Sequence, residues 1–321
     1  MSGVMTTTVD HLIRSEIWST RLKEIFEADL FAMRYVEMLN DFPDGEIINI
    51  PSIGQMDTYD YEEGQAIRYT AIDTGNFQFR ITDYVASATY ITDKMKQDSF
   101  YTSRLESAFV PKQARAIAER MEAGVLAIGQ PGGVNGAQTA SNLNTINGGD
   151  HRFVGSGTSS AIAPQDFARA KYALRKALVP MNNLVAIVDP SVEYTLSTLT
   201  NLVNVSFNPK WEGIVRDGIT TGMQFKMNIY GFDVYISDWL PKNVNETIDG
   251  LSTTTGVANL FFTTEGDSNP FIGAMRQPPK VESERNKDYQ RDEYVTTARW
   301  GFGFYRPEAL VTVLTNEDVV A

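Results

Sequence analysis

Apolar and polar positions alternate with a period that changes along the chain. Over residues 18–39, Trp18, Leu22, Ile25, Phe26, Leu30, Met33 and Val36 recur at steps of three and four with charges between them. That spacing predicts a one-faced helix, or two short ones, whose apolar side packs either on the chain's own core or against a neighbouring subunit. From residue 44 the period becomes two, and Ile48 and Ile50, then Phe77, Phe79 and Ile81, predict two strands. Between them lies a Gly-containing acidic tip with Asp57, Asp60, Glu62 and Glu63, too polar to be buried by its own hairpin. A two-stranded ribbon is marginal by itself, so this one needs a surface to lie on, or is a sheet edge packed on the chain's own core.

Helical spacing returns over residues 103–128. Pro111 suits a first-turn position, Ala114, Ile117, Met121, Val125 and Ile128 line one face, and Gly129 ends what should be the longest helix. Residues 129–160 hold eight glycines and only two formal charges, Asp150 and Arg152, which predicts a long loop. Its spacing matches neither a P-loop, a dinucleotide fingerprint nor a nucleophile elbow. The stretch 164–199 reads as a compact α/β unit inserted between ribbon and tail. Pro164 opens a helix carrying Phe167, Ala170, Leu174 and Leu178, residues 184–188 (LVAIV) form a buried strand, and Pro190 starts a helix with Val192, Leu196 and Leu199. Phe232, Val234 and Ile236 mark a further strand, and residues 258–314 read as strands throughout. On the last long strand Trp300, Phe302 and Phe304 share one face, as core residues first and a contact surface second, while Gly301 and Gly303 open the other to close approach by a backbone.

Composition narrows the chemistry. At 321 residues and 42% hydrophobic content the chain can bury a sizeable core as one large domain or two. It has no cysteine and only two histidines, His11 and His151, so disulfides, thiolate metal sites and most histidine-dependent catalysis are excluded. The adjacent carboxylate pairs Glu62–Glu63 and Asp292–Glu293 point to opposite faces of a strand, a poor arrangement for an acid–base dyad. Neither an enzyme activity nor a cofactor or metal is expected. A net charge of −12 opposes non-specific binding to DNA, RNA or anionic membranes. The apolar runs are too short to span a bilayer, and the polar first residues do not resemble a secretion signal. Between Arg276 and Arg306 seven bases and five acids are finely mixed, a pattern of a solvated face or of polar contact with a partner.

The order of parts, with GQPGGV at 129–134 after the long helix, YGFDVYISDWLP at 230–241, and FIGAMRQPPKVE at 271–282 leading into ARWGFGFYRPEALVTV at 298–313, resembles the major capsid protein of tailed double-stranded DNA phages. The resemblance covers roughly residues 18–314. It implies an α+β fold of the Hong Kong 97 type. Its parts would be an N-terminal arm (1–43), an extended hairpin loop (44–91), a spine helix with the first part of a peripheral domain (92–158), an axial domain (159–237), and return strands completing the peripheral domain (238–321). In that fold the closing aromatic strand returns beside the spine helix, Arg306-Pro307 marks the turn, and the last short strand finishes the sheet.

The function so implied is structural. Copies associate as pentamers and hexamers into an icosahedral shell in the virion, assembled in the host cytoplasm and enclosing double-stranded DNA without specific binding. The implied partners are the chain itself, a scaffolding protein, a portal and a cement or decoration protein. Intersubunit contact candidates are Trp18, Asp57, Asp60, Glu62, Glu63, Arg68, Arg115 and Arg120. Some family members crosslink through a lysine on the extended loop, but no lysine lies between Glu24 and Asp93. Reinforcement is therefore expected from hairpin packing, from charge pairing of the acidic tip with bases such as Arg115 or Arg120, or from a cement protein. No long charged coiled-coil extension precedes the arm, so scaffolding is expected from a separate or removed part. An encapsulin shell of the same fold is the nearest alternative, and a glycan-binding or glycan-cleaving protein a remote one.

Overall fold

The structure, a computed structural model, describes residues 30–39, 47–53, 58–60, 62–66, 74–98, 102–130, 145–198 and 225–317. In chain order the first elements are strands β1 (Glu37–Leu39), β2 (Ile47–Ile53), β3 (Thr74–Arg80) and β4 (Asp83–Thr92). Helices α1 (Asp93–Asp98) and α2 (Thr102–Leu126) follow, then β5 (Thr145–Ile146), β6 (Gly149–Asp150) and β7 (Arg152–Val154). Next come α3 (Pro164–Lys176), β8 (Leu184–Val188), α4 (Pro190–Thr198), β9 (Phe225–Ile229) and β10 (Phe232–Ile236). The short pair β11 (Thr247–Ile248) and β12 (Leu251–Ser252) precedes the long strands β13 (Gly256–Thr263), β14 (Phe271–Asn286) and β15 (Arg291–Phe304), and β16 (Leu310–Asn316) ends the described chain.

Helix α2 lies between two sheets. The smaller has the order β1-β14-β15-β4 and the larger β7-β16-β13-β8-β10-β9. Alternation along the larger sheet's strands divides its side chains between two cores. Ala186, Val188, Phe232, Phe261 and Val313 pack with Phe167, Leu174 and Val192 of α3 and α4. Val185, Ile187, Leu260 and Phe262 join Ile117, Met121 and Val125 of α2 and the aromatic row Trp300, Phe302 and Phe304. The expected buried strand at 184–188 is buried at every position because both faces are covered. Arg152, 1% exposed, fastens the two halves. Its guanidinium grips Glu246 through Nε (2.7 Å) and Nη2 (2.6 Å) and donates through Nη1 to the Gly129 carbonyl at the end of α2 (2.7 Å).

Several expectations need correction. Residues 30–39 do not continue a helix: a 3-10 turn at Ala32–Tyr35 leads into β1, which pairs parallel with Ile272–Ala274 of β14. Backbone pairing at the sheet margin there outweighs the helical spacing of the apolar residues, and residues 18–29 lie outside the described residues. Pro111 is not in the first turn but inside α2; it is exposed, so the carbonyl it deprives of a donor lies toward solvent. Ala114 is also exposed, and its place on the buried face is taken by Gln113, which donates to the Tyr294 carbonyl (3.1 Å) and accepts from the Thr296 hydroxyl (2.9 Å). The Gly-rich stretch is not wholly loop, since β5, β6 and β7 fall within it. Residues 83–92, not singled out from the sequence, form β4 along β15. The last strand, β16, does not finish the sheet of β15: after a 3-10 turn opened by Pro307 it enters the larger sheet between β7 and β13. The compact α/β stretch thus shares its sheet with the C-terminal strands.

Leu178 lies beyond α3 and is 86% exposed, because it occupies the left-handed position (φ 61°) that closes the helix. The amides of Leu178 and Val179 donate back to Arg175 and Leu174 in the paired pattern that usually carries glycine at this position. Leu178→Gly is expected to raise stability by about 1 kcal/mol, read as a higher denaturant midpoint at unchanged slope.

Candidate assembly surfaces

The two predicted strands of the ribbon pair antiparallel from Ile47 with Arg80 to Ile53 with Thr74. The base of this hairpin rests on the face of β15 opposite the aromatic row. A Cβ on Gly301 would lie 2.6 Å from the Arg80 carbonyl oxygen and 2.8 Å from the Ile81 Cα, and one on Gly303 would lie 2.7 Å from the Phe79 ring. The close approach expected at these glycines is therefore made, by the chain's own backbone. Phe79 and Ile81 are buried there, with Ile48, Ile50 and Phe77 packed around them. Gly301→Val should lift the hairpin base off β15 and cost about 1–3 kcal/mol, with faster amide exchange at Phe79 and Ile81 as its local sign.

At the far end, residues 58–60 and 62–66 are exposed. Glu62 and Gln65 close a turn through the Gln65 amide (3.2 Å) and the Gln65 side chain (3.0 Å), with Gly64 at φ 92°. Asp60, Glu62 and Glu63 project from this tip, while Trp18, Asp57 and Arg68 lie outside the described residues.

On α2, Arg115 is tied to Glu119 one turn on (2.9 Å). Arg120 is exposed and has no ion pair within hydrogen-bonding reach among the described residues. It lines a cavity of about 290 Å³ together with Asp83, Gln130 and Trp239. The Trp239 indole N–H is buried without an acceptor. Burial pushes the Asp83 carboxyl up, opposed by the charge of Arg120.

One buried hydrogen-bonding group escaped the sequence reading. Glu122, fully buried on α2, accepts from the amides of Phe31 (3.0 Å) and Ala32 (2.8 and 2.9 Å), capping the 3-10 turn from 90 residues away. Nothing in local spacing marks it. The mixed charges read from the sequence on β14 and β15 pair within the chain: Arg285 bonds Asp93 (2.6 and 3.0 Å) and Asp292 (3.3 Å), Lys96 also pairs with Asp292, and Arg291 pairs with Glu293 (2.6 Å). Asp292 and Glu293 have separate partners and are each held below the usual carboxylate range, Asp292 by Lys96 and Glu293 by Arg291, so they share no proton as a catalytic pair would. Groups of acidic and histidine side chains able to hold a metal are absent among the described residues. His151 is buried, its ring nitrogens 2.9 and 3.1 Å from the carbonyls of Gly149 and Glu308.

The Arg285 bond likewise holds Asp93 below its ordinary 3.8. A lowered carboxyl adds stability above its unfolded value that is lost as pH falls through the folded one. Thermal stability should therefore decline as the pH is lowered below about 4, and Arg285→Gln should flatten that decline in melts taken from pH 6 to pH 2.5.

A family profile described as phage capsid protein matches residues 76–313. No relative was found among curated proteins. Among solved structures, the chain is similar to one titled as the capsid structure of the cyanophage P-SCSP1u, with a TM-score of 0.69 and 17% identity over 93% of this chain and 92% of that one. A structure from Mycobacterium phage Che8 gives 0.67 and 18% over 95% and 98%. The capsid asymmetric unit of cyanophage Pam1 gives 0.66 and 15% over 99% of each chain.

Proposed function

The chain belongs to the phage capsid protein family, and from that premise we propose that copies of it assemble as pentamers and hexamers into an icosahedral head around double-stranded DNA. It is a structural protein of the virion capsid with the Hong Kong 97-type fold, and it works by burying surface between copies. The observation that carries the assembly reading is the hairpin of β2 and β3. Its base is seated on β15, whereas its acidic tip stands exposed. A ribbon of this kind gains its stability from a surface supplied elsewhere, here a neighbouring subunit.

In this reading residues 1–43 are the N-terminal arm, 44–91 the extended loop, 92–158 the spine helix and first part of the peripheral domain, 159–237 the axial domain, and 238–321 the returning strands. A scaffolding protein guides closure in the host cytoplasm, a portal occupies one vertex, and a cement protein strengthens the shell. Without a lysine between Glu24 and Asp93, packing and charge pairing replace crosslinks. The acidic balance leaves packaged DNA free to slide.

Replacing residues 57–66 by a short Gly-Ser link tests this directly. The variant should keep its circular dichroism and melting temperature yet form no closed shells in negative-stain images. Shells formed at the normal yield would refute the role given to the hairpin.

A further inference from the structure

Two short links carry the chain directly from one sheet to the other, residues 264–270 from β13 to β14 and residues 305–309 from β15 to β16. They stand side by side at one end. There β14 and β15 are neighbours in the smaller sheet and β13 and β16 in the larger, with Phe271 paired to Phe304 and Phe262 to Leu310. Adjacent links of this kind act as a hinge: they hold the sheets together at one edge and leave rotation about it to be fixed by other contacts. Residues 31–39 supply a third crossing, anchored on both sheets without a covalent joint to either.

The tail of this crossing is β1, paired with β14 of the smaller sheet. Val36 and Met38 lie so close over Gly273 that a Cβ on that glycine would fall 2.8 Å from Val36 Cγ1 and 2.9 Å from the Met38 sulfur. The head is the 3-10 turn, which packs on the larger sheet: the Tyr35 ring meets Phe262 of β13 at 5.5 Å and Tyr235 of β10 at 6.0 Å, and Phe31 meets Tyr235 at 5.8 Å. Between the sheets, α2 fastens the head through the buried Glu122 carboxylate, which accepts from the Phe31 and Ala32 amides at 3.0 and 2.8 Å. In strand order this crossing stands to one side of the two links, beside β10 in the larger sheet and at the margin of the smaller. We propose that residues 31–39 are a strap that sets the angle between the two sheets, with Glu122 as its latch. Three residues of parallel pairing are too few to hold the strap once its head is free, so head and tail let go together. The strap is a property of the single chain and stands whether or not copies assemble. It gives a subunit that fits rings of five and of six, as proposed above, an adjustable joint, and that use alone rests on the shell reading.

The chain has no cysteine, so two introduced thiols can be labelled without interference. Ala88 on β4 and Ala168 on α3 are exposed, and Ala88→Cys with Ala168→Cys marks the smaller sheet and the layer packed on the larger one. With spin labels on both, dipolar distance measurements on the otherwise native chain should give one narrow distribution. Tyr35→Ala and Glu122→Ala should each widen it about twofold or more. Amide exchange at Phe31, Ala32 and along β1 should accelerate by one common factor in both variants. Val188→Ala, in the core under α3 and α4, is the control: it lowers stability without touching the strap and should leave the distribution narrow. If Glu122→Ala does not fold, Tyr35→Ala alone carries the test. An unchanged distribution in either folded variant, or equal widening in Val188→Ala, overturns the strap. A chain with these responses that never forms shells leaves the strap standing and removes the shell reading.

Discussion

Trp300→Ala is expected to lower the unfolding free energy by about 3–5 kcal/mol, the cost of emptying a fully enclosed aromatic site. Trp300 is 0% exposed at the centre of the core shared by α2 and both sheets, flanked along β15 by buried Phe302 and Phe304. Its cross-strand neighbours are Met275 on β14 and Asp83 on β4. The indole N–H has no acceptor, so the residue is there for volume and shape rather than for a bond. Trp300→Phe removes that unpartnered donor, whose burial itself costs about 1–3 kcal/mol, and should therefore be much milder than the alanine variant. Chemical denaturation of the two variants beside the wild type measures the difference. Equal losses would contradict this account of the site.

Glu122→Ala is the second large effect. It leaves the amides of Phe31 and Ala32 buried without an acceptor and opens space beneath the 3-10 turn, for a combined cost of about 2–5 kcal/mol. The loss should be localised first: amide exchange at Phe31, Ala32 and along β1 accelerates before exchange in β13 or β16 changes. Glu122→Gln keeps an oxygen able to accept from both amides and should cost less. Burial pushes the Glu122 carboxyl above its ordinary 4.5, and the backbone donors of Phe31 and Ala32 oppose that shift. The folded chain therefore binds this proton more tightly than the unfolded chain. Its stabilising share is full below pH 4.5 and declines as pH rises through the folded value, a slope that Glu122→Gln abolishes.

Period and punctuation made much of the architecture legible before any coordinates. The strands of the hairpin, the fully apolar LVAIV strand, α3 behind Pro164, and the split of β15 into an aromatic face and a glycine face all follow from which positions are apolar and how far apart they stand. Misreadings fall where a long-range partner decides. Residues 30–39 carry helical spacing, yet Glu122 caps them and β14 pairs with them, and neither partner is visible from within that window. Pro111 reads as a first-turn residue by its own preference, although the helical spacing already begins at residue 103 and the helix runs from Thr102. Leu178 continues a helical period into a position that backbone closure has already taken. The candidate site was legible in its parts and not in its pairing. The tip is acidic in the sequence, but only the structure distinguishes Arg115, bonded to Glu119, from Arg120, exposed beside Asp83 on a cavity wall.

The most direct measurement is sedimentation velocity on the purified chain, with negative-stain images of every fast-sedimenting fraction. Closed shells, or pentamers and hexamers that close when a scaffolding protein is added, are the result this account predicts. A chain that stays monomeric at all concentrations, with and without scaffold, would contradict it.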